Sequence, residues 1–224
     1  MAKASNGEYP EAGRRARVIY NAGVTNIYSY INVDDPAGTL RESDALLVVD
    51  VQNDFCPGGA LEVPDGDAVV PILNAWIRAA HDKDIPVLAS RDWHPEGHAS
   101  FKSQGGKWPP HCIQDTPGAQ FHPDLDITDE TEIVSKGECK DHDEYSPFQP
   151  TDLAVQLRNI GVERLWIGGL ALDVCVRESA IDAAKSELAP HVILPATRAV
   201  SPAAAPDIIE ELSSRGITIA ERAE

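Results

Sequence analysis

Short apolar runs alternate with stretches of helical pattern along most of this chain, and that alternation decides what it can fold into. ALLVVD (45–50), IPVLASRD (85–92), TEIVSK (131–136), RLWIGGL (164–170), HVILPA (191–196) and ITIAE (217–221) read as six strands rich in β-branched and apolar residues. Between them, AVVPILNAWIRAAHDK (68–83), DLAVQLRNIG (152–161) and VCVRESAIDAAKS (174–186) read as helices, and a fourth opens at Ser201-Pro202 and runs to Ser214. Thr151 is placed to cap the second helix, while Gly161 and Gly216 sit where helices close. Strands this apolar need cover on both faces. The expected class is therefore α/β, three layers (α/β/α) around a six-stranded, mostly parallel sheet.

The 224 residues are enough for one sizeable core. We expect that core in one domain, residues 44–224. Residues 1–43 form an N-terminal extension of unassigned role, in which VIYNAGV and NIYSYINV have the composition of strands. A second interruption, residues 93–130, contains WHPEGH, GGKWPPHC and FHPDL. A loop of that length inside an α/β domain is usually functional. The net charge of −17 repels nucleic acid and anionic membranes, so neither is expected as a partner. No apolar stretch approaches the ~18 residues of a membrane span. The N-terminus MAKASNGEYPEAGRRARV lacks a signal-peptide core, which points to the cytoplasm. Cys56, Cys112, Cys139 and Cys175 are widely spaced with no C-x-x-C pair, so no disulfide framework is expected there.

Ligands of such sheets bind at the carboxyl ends of the strands. Asp50, Asp92 and Lys136 end the first three strands, and Cys175 follows the fourth. Each has a bland explanation. Aspartates at strand ends form turns, lysines are solvated, and cysteines pack as small apolar residues. Four such groups on one edge make a harder coincidence. A thiol in the first turn of a helix feels the positive end of the helix dipole, which lowers its pKa, and a nearby lysine lowers it further. Cys175 with Asp50 and Lys136 would then be a nucleophile with its base and an electrostatic partner. Backbone N–H groups around Ala171 and Cys175 would form an oxyanion hole, which suits acyl transfer.

The long loop holds a second constellation. Asp92 and His94 are two residues apart, His98 follows across a Pro-Glu-Gly turn, and His111 returns after WPP. One carboxylate and three imidazoles suit one divalent ion, Zn²⁺, Fe²⁺ or Mn²⁺, with positions left open. The same loop also fits a polar surface segment that happens to hold histidines. His122 and His142 lack such partners and are expected at the surface.

In order and spacing, VVDVQNDFCPGGAL, RDWHPEGHASF, KWPPHC with FHP soon after, SKG and GLALDVCV resemble the nicotinamidases of the isochorismatase-like cysteine hydrolases, over roughly residues 44–221. The resemblance implies a triad of Asp50, Lys136 and Cys175, and metal ligands Asp92, His94, His98 and His111. It implies a cis peptide between Leu170 and Ala171 beside an oxyanion hole of Ala171 and Cys175. It places Phe55 and Trp108 against the substrate ring, with Leu61, Tyr145 and Leu170 nearby. It further implies hydrolysis of nicotinamide, and of pyrazinamide, through a thioester in NAD salvage, with the ring nitrogen on the metal. The partner would be a small amide, and a homo-oligomer is compatible with it.

The chain also departs from that pattern. The family often has Thr-Asp and then Tyr or His before the nucleophile, whereas Leu172-Asp173-Val174 stand here. Val174 removes an aromatic or imidazole wall, which widens the pocket. Three other readings are weaker. Metal-free amidases of the superfamily should lack the D-x-H…H…H set, and isochorismatases proper lack the cysteine. A non-catalytic metal or thiol sensor leaves Asp50 and Lys136 at strand ends unexplained.

Overall fold

The structure, a computed structural model, describes residues 33–149 and 151–221. VIYNAGV, and NIYSYINV except its last residue Val33, lie outside the described residues. Val33 and Leu40 are buried, and α1 (Pro36–Thr39) between them is a single turn capped by Asp35, whose carboxylate accepts from Gly38 N–H at 2.9 Å. This segment packs against α2 (Val70–His81), so the packed body begins ahead of the first strand.

The six expected strands are all present: β1 (Asp44–Val49), β2 (Val87–Asp92), β3 (Glu132–Lys136), β4 (Arg164–Leu170), β5 (Ala189–Arg198) and β6 (Thr218–Ala220). They form one sheet in the order β3-β2-β1-β4-β5-β6, and every neighbouring pair is parallel. The remaining helices are α3 (Leu153–Asn159), α4 (Arg177–Lys185) and α5 (Ala205–Ser214). β1 shows why its sequence is apolar throughout. Leu46 and Val48 enter a core with Leu73, Trp76 and Ile77 of α2. Ala45, Leu47 and Val49 enter another, with Leu157 of α3, Ile181 of α4 and Leu212 of α5. A strand between two helical layers has no face left for polar residues.

The strand order reverses between β1 and β4, which makes their carboxyl ends the switch point of the sheet. The two strands meet closely there. Gly169 has φ +125°, and a Cβ on it would lie 2.0 Å from the Val49 carbonyl oxygen, so only glycine fits.

Three local details differ from the sequence reading. The chain after β4 does not enter a regular α-helix at once, because Leu172–Val176 form a π-helical turn ahead of α4. β5 runs to Arg198, because its pairing with β4 jumps from Val192 to Thr197 and the irregular stretch accommodates Pro195. At α3 the N-cap is Asp152, which makes no side-chain bond, and Thr151 Oγ1 instead accepts from Leu153 N–H at 3.2 Å. No described helix is long and apolar enough to cross a membrane.

The amino end of the sheet carries its own polar knot. Asp44, fully buried, accepts from Arg164 Nε and Nη2 at 2.6 Å each, from Trp166 Nε1 at 2.9 Å and from Arg41 N–H at 2.9 Å. Removing the carboxylate strands a guanidinium and an indole N–H. Asp44→Ala should therefore cost about 3 kcal/mol in chemical denaturation. Its distance from the other end of the sheet should leave the activity of the folded fraction unchanged.

Candidate active site

Asp50 is the first residue past β1 and adopts the left-handed conformation (φ 49°), which aspartate tolerates better than most residues and which turns the chain off the strand end. Its side chain is fully buried. Oδ1 accepts from Ser90 Oγ at 2.7 Å, and Oδ2 lies 2.8 Å from Lys136 Nζ. Lys136, the last residue of β3 and also fully buried, bonds the Asp92 carboxylate as well and sits 3.5 Å from Cys175 Sγ. One ammonium thus touches two carboxylates and a thiol, each from a different strand end.

Burial decides the protonation of this cluster first, and the charges then correct it. Burial raises the Asp50 carboxyl more than Lys136 pulls it down. Burial alone would raise Asp92 too, but Lys136, with the imidazoles of His111 and His94 beside it, holds it well below the usual carboxylate range. Burial works against the Lys136 charge, yet Asp50 and Asp92 keep the ammonium firmly protonated. Cys175 corrects the sequence reading, which put its thiol pKa below normal. Burial pushes it well up, Lys136 pulls it back only in part, and Asp50 and Asp92 add to the rise. The resting group is a neutral thiol beside a carboxylate whose own affinity for protons is raised.

Asp92 also faces the other way. His94 Nε2 and His111 Nε2 lie 3.5 and 3.6 Å from its Oδ2, and the donor atoms of all three residues fall within 4.8 Å of one another. His94 Nδ1 is 3.1 Å from the Gly137 carbonyl, and His111 Nδ1 is 2.8 Å from that of Pro109. A proton on each Nδ1 donates to its carbonyl and leaves both Nε2 lone pairs turned toward Asp92. That is how ligating imidazoles are normally oriented. Gly137 (φ +68°) makes the fit, because a Cβ on it would lie 2.3 Å from the His94 ring. A carboxylate and two oriented imidazoles suit a divalent ion. The structure does not bring His98 into this group. Both of its ring nitrogens have protein partners, Ser100 Oγ at 2.8 Å and the His142 carbonyl at 2.9 Å. His142 is exposed as expected, whereas His122 is half-buried.

Cys175 and Ala171 open onto a cleft of about 420 Å³, mouth included. All five expected pocket residues, Phe55, Leu61, Trp108, Tyr145 and Leu170, line it, and the Leu170–Ala171 peptide is cis. Trp108 Nε1 donates to Tyr145 Oη at 3.2 Å, which joins two walls. Val174 lines the cleft as the sequence suggested. Sequence reasoning missed Asp143 and Glu144, which also line it, and Asp173, whose carboxylate accepts from Val200 and Ser201 N–H at 2.9 Å each and seats Val200 in the wall. The signal for the first two was the acidic-aromatic string DHDEYSPF just past the third strand.

Comparison with known proteins places this geometry. The isochorismatase domain model matches residues 44–224. The nicotinamidase of Escherichia coli is 38% identical over 198 residues, spanning 78% of this chain and 93% of that protein. The pyrazinamidase of Pyrococcus horikoshii, solved in complex with zinc, is 45% identical with a TM-score of 0.77, covering 80% of this chain and 99% of that one. PnC1 of L. infantum, solved with nicotinate, is 33% identical with a TM-score of 0.72, covering 86% and 96%. The chain belongs to the isochorismatase family. Within that family it is an amidohydrolase, an enzyme that cleaves amide C–N bonds.

Replacing either oriented imidazole should empty the metal site. His94→Ala and His111→Ala should each lose bound metal on dialysis. Gly137→Ala, which displaces the His94 ring without removing a ligand, should weaken metal affinity by about 10- to 100-fold in calorimetric titration.

Proposed function

We propose that this enzyme hydrolyses nicotinamide to nicotinate and ammonia, accepts pyrazinamide, and works through a thioester on Cys175. The observation that carries the reading is the Cys175 thiol 3.5 Å from Lys136 Nζ, with Asp50 in the same buried cluster, at an aromatic-walled cleft that also exposes Asp92, His94 and His111. The nicotinamidase and pyrazinamidase relatives supply the substrate class. Its place would be in NAD salvage.

The chain's own residues account for the chemistry. Phe55 and Trp108 hold the ring and bring the amide carbon over Cys175 Sγ. Asp50, raised toward neutrality by burial, takes the thiol proton as the sulfur attacks. Lys136 offsets the charge that develops on the sulfur and on Asp50. The N–H groups of Ala171 and Cys175 hold the carbonyl oxygen as it becomes an oxyanion. Asp50 returns the proton to the leaving nitrogen, and ammonia departs. Water then cleaves the thioester with Asp50 as base, giving the carboxylate and restoring the thiol. Asp92, His94 and His111 are the residues that would hold a divalent ion. Such an ion supplies a Lewis-acid contact for the ring nitrogen, which would fix the ring over the thiol.

An ammonia-release assay with nicotinamide tests the reading directly. Wild-type enzyme should turn over nicotinamide and pyrazinamide. Cys175→Ala should be inactive with its metal content intact, and retained turnover would end the covalent mechanism. Asp50→Asn keeps the shape but cannot take a proton, so kcat should fall by about 10²-fold or more.

Metal removal separates ring positioning from the thiol chemistry. Chelation should lower nicotinamide turnover by about 10²-fold, the scale of a ~1 Å misplacement. Benzamide, which lacks the ring nitrogen, should be a poor substrate throughout and lose little more. Equal losses for both amides would move the ion's role away from the ring nitrogen.

A further inference from the structure

We propose that His98 is a positioning residue that fastens the two walls of the substrate slot together, and that it is not a ligand of the metal. The proposal rests on the reading of the cleft as the nicotinamide site. His98 is fully buried. Its Nδ1 accepts from Ser100 N–H at 3.2 Å, so the ring proton sits on Nε2, which donates to the His142 carbonyl at 2.9 Å. Neither nitrogen is left for an ion. The ring stacks on His94, with centroids 4.2 Å apart and planes at 24°, and so turns a face rather than a lone pair toward that imidazole.

What His98 holds is the wall. Beside it, Ala99 N–H donates to the Lys140 carbonyl at 2.8 Å, so residues 98–99 are stitched to 140–142 by two bonds. The stitched segment runs directly into Asp143, Glu144 and Tyr145, which line the cleft. On the other side, Trp108 is tied to the His98 loop, its N–H donating to the Ser100 carbonyl at 3.0 Å and its own carbonyl accepting from Lys102 N–H at 2.7 Å. Trp108 Nε1 to Tyr145 Oη, 3.2 Å, closes a circuit of hydrogen bonds. That circuit runs His98, His142, Tyr145, Trp108, Ser100 and back. Glu144 has a separate tie, accepting from Gly137 N–H at 2.8 Å, so losing the His98 bond loosens the wall without releasing it. Cys175, Asp50 and Lys136 sit on the strand ends outside this circuit. Opening it should therefore weaken substrate binding before it slows chemistry.

The test compares His98→Ala with His98→Gln, both as metal-loaded holoenzymes. A glutamine amide nitrogen stands where Nε2 stands and can donate to the His142 carbonyl. Both variants should keep the wild-type metal content by elemental analysis. In His98→Ala, amide hydrogen exchange across residues 138–145 should quicken by about fivefold and KM for nicotinamide should rise by about the same factor, the scale of one hydrogen bond, with kcat little changed. His98→Gln should restore both. Should His98→Ala fold poorly, His98→Asn gives the same comparison, because its shorter amide satisfies Ser100 but does not reach His142. Loss of metal in these variants would make His98 a ligand and overturn the proposal. So would unchanged exchange and KM in His98→Ala, or failure of glutamine to rescue. If the wild-type enzyme does not turn over nicotinamide at all, the functional reading fails, while exchange and metal content still decide the role of His98.

Discussion

A lysine ammonium with no access to water, held between two carboxylates, is the interaction around which this molecule is arranged. Taking charges out of water costs several kcal/mol per ion, and close opposite charge with good geometry is what offsets it. Lys136 has that geometry only because three parallel strands end together. β1 delivers Asp50, β2 delivers Asp92, and β3 delivers the lysine itself, with Asp92 and Lys136 directly paired in register. A one-residue slip of any of these strands would turn its terminal side chain to the other face of the sheet and leave uncompensated charge in the core. The register of the sheet and the charge balance of the site are thus the same constraint.

The two ends of the sheet divide the labour. At the amino end, Asp44 binds Arg164 and Trp166 and locks β1 to β4. At the carboxyl end the same two strands contribute Asp50 and lead into Cys175. A polar group buried for cohesion and another buried for chemistry lie at opposite ends of one short strand. The close approach at Gly169 keeps that strand and β4 in contact along their length.

Most of this was legible in the sequence because it follows periodicity. Apolar strands, intervening helices and the polar residues at strand ends each leave a local mark, and the order of Asp50, Asp92, Lys136 and Cys175 could be read from them. What escaped is non-local. The π-turn before α4 depends on how the chain leaves β4. The raised thiol depends on burial beside two carboxylates, which no spacing encodes. His98 looked like a ligand because it stands in a D-x-H-x3-H string, but its partners are Ser100 and the distant His142 carbonyl, and only the folded loop brings that carbonyl within reach. Asp143 and Glu144 were hidden in a surface-like acidic string, which enters the cleft because a backbone bond from Ala99 and a bond from the His98 ring draw it there.

The Asp92 side chain has one further implication. One of its oxygens meets Lys136 and the other faces the two imidazoles, so a single four-atom group separates the half of the site that holds the lysine and the thiol from the half suited to a metal. Evolution cannot adjust one half at this position without disturbing the other. A descendant that gave up the metal would have to keep the aspartate for the sake of the lysine. Relatives that have drifted in metal use should therefore differ first at positions 94 and 111, with 92 the last of the three to change.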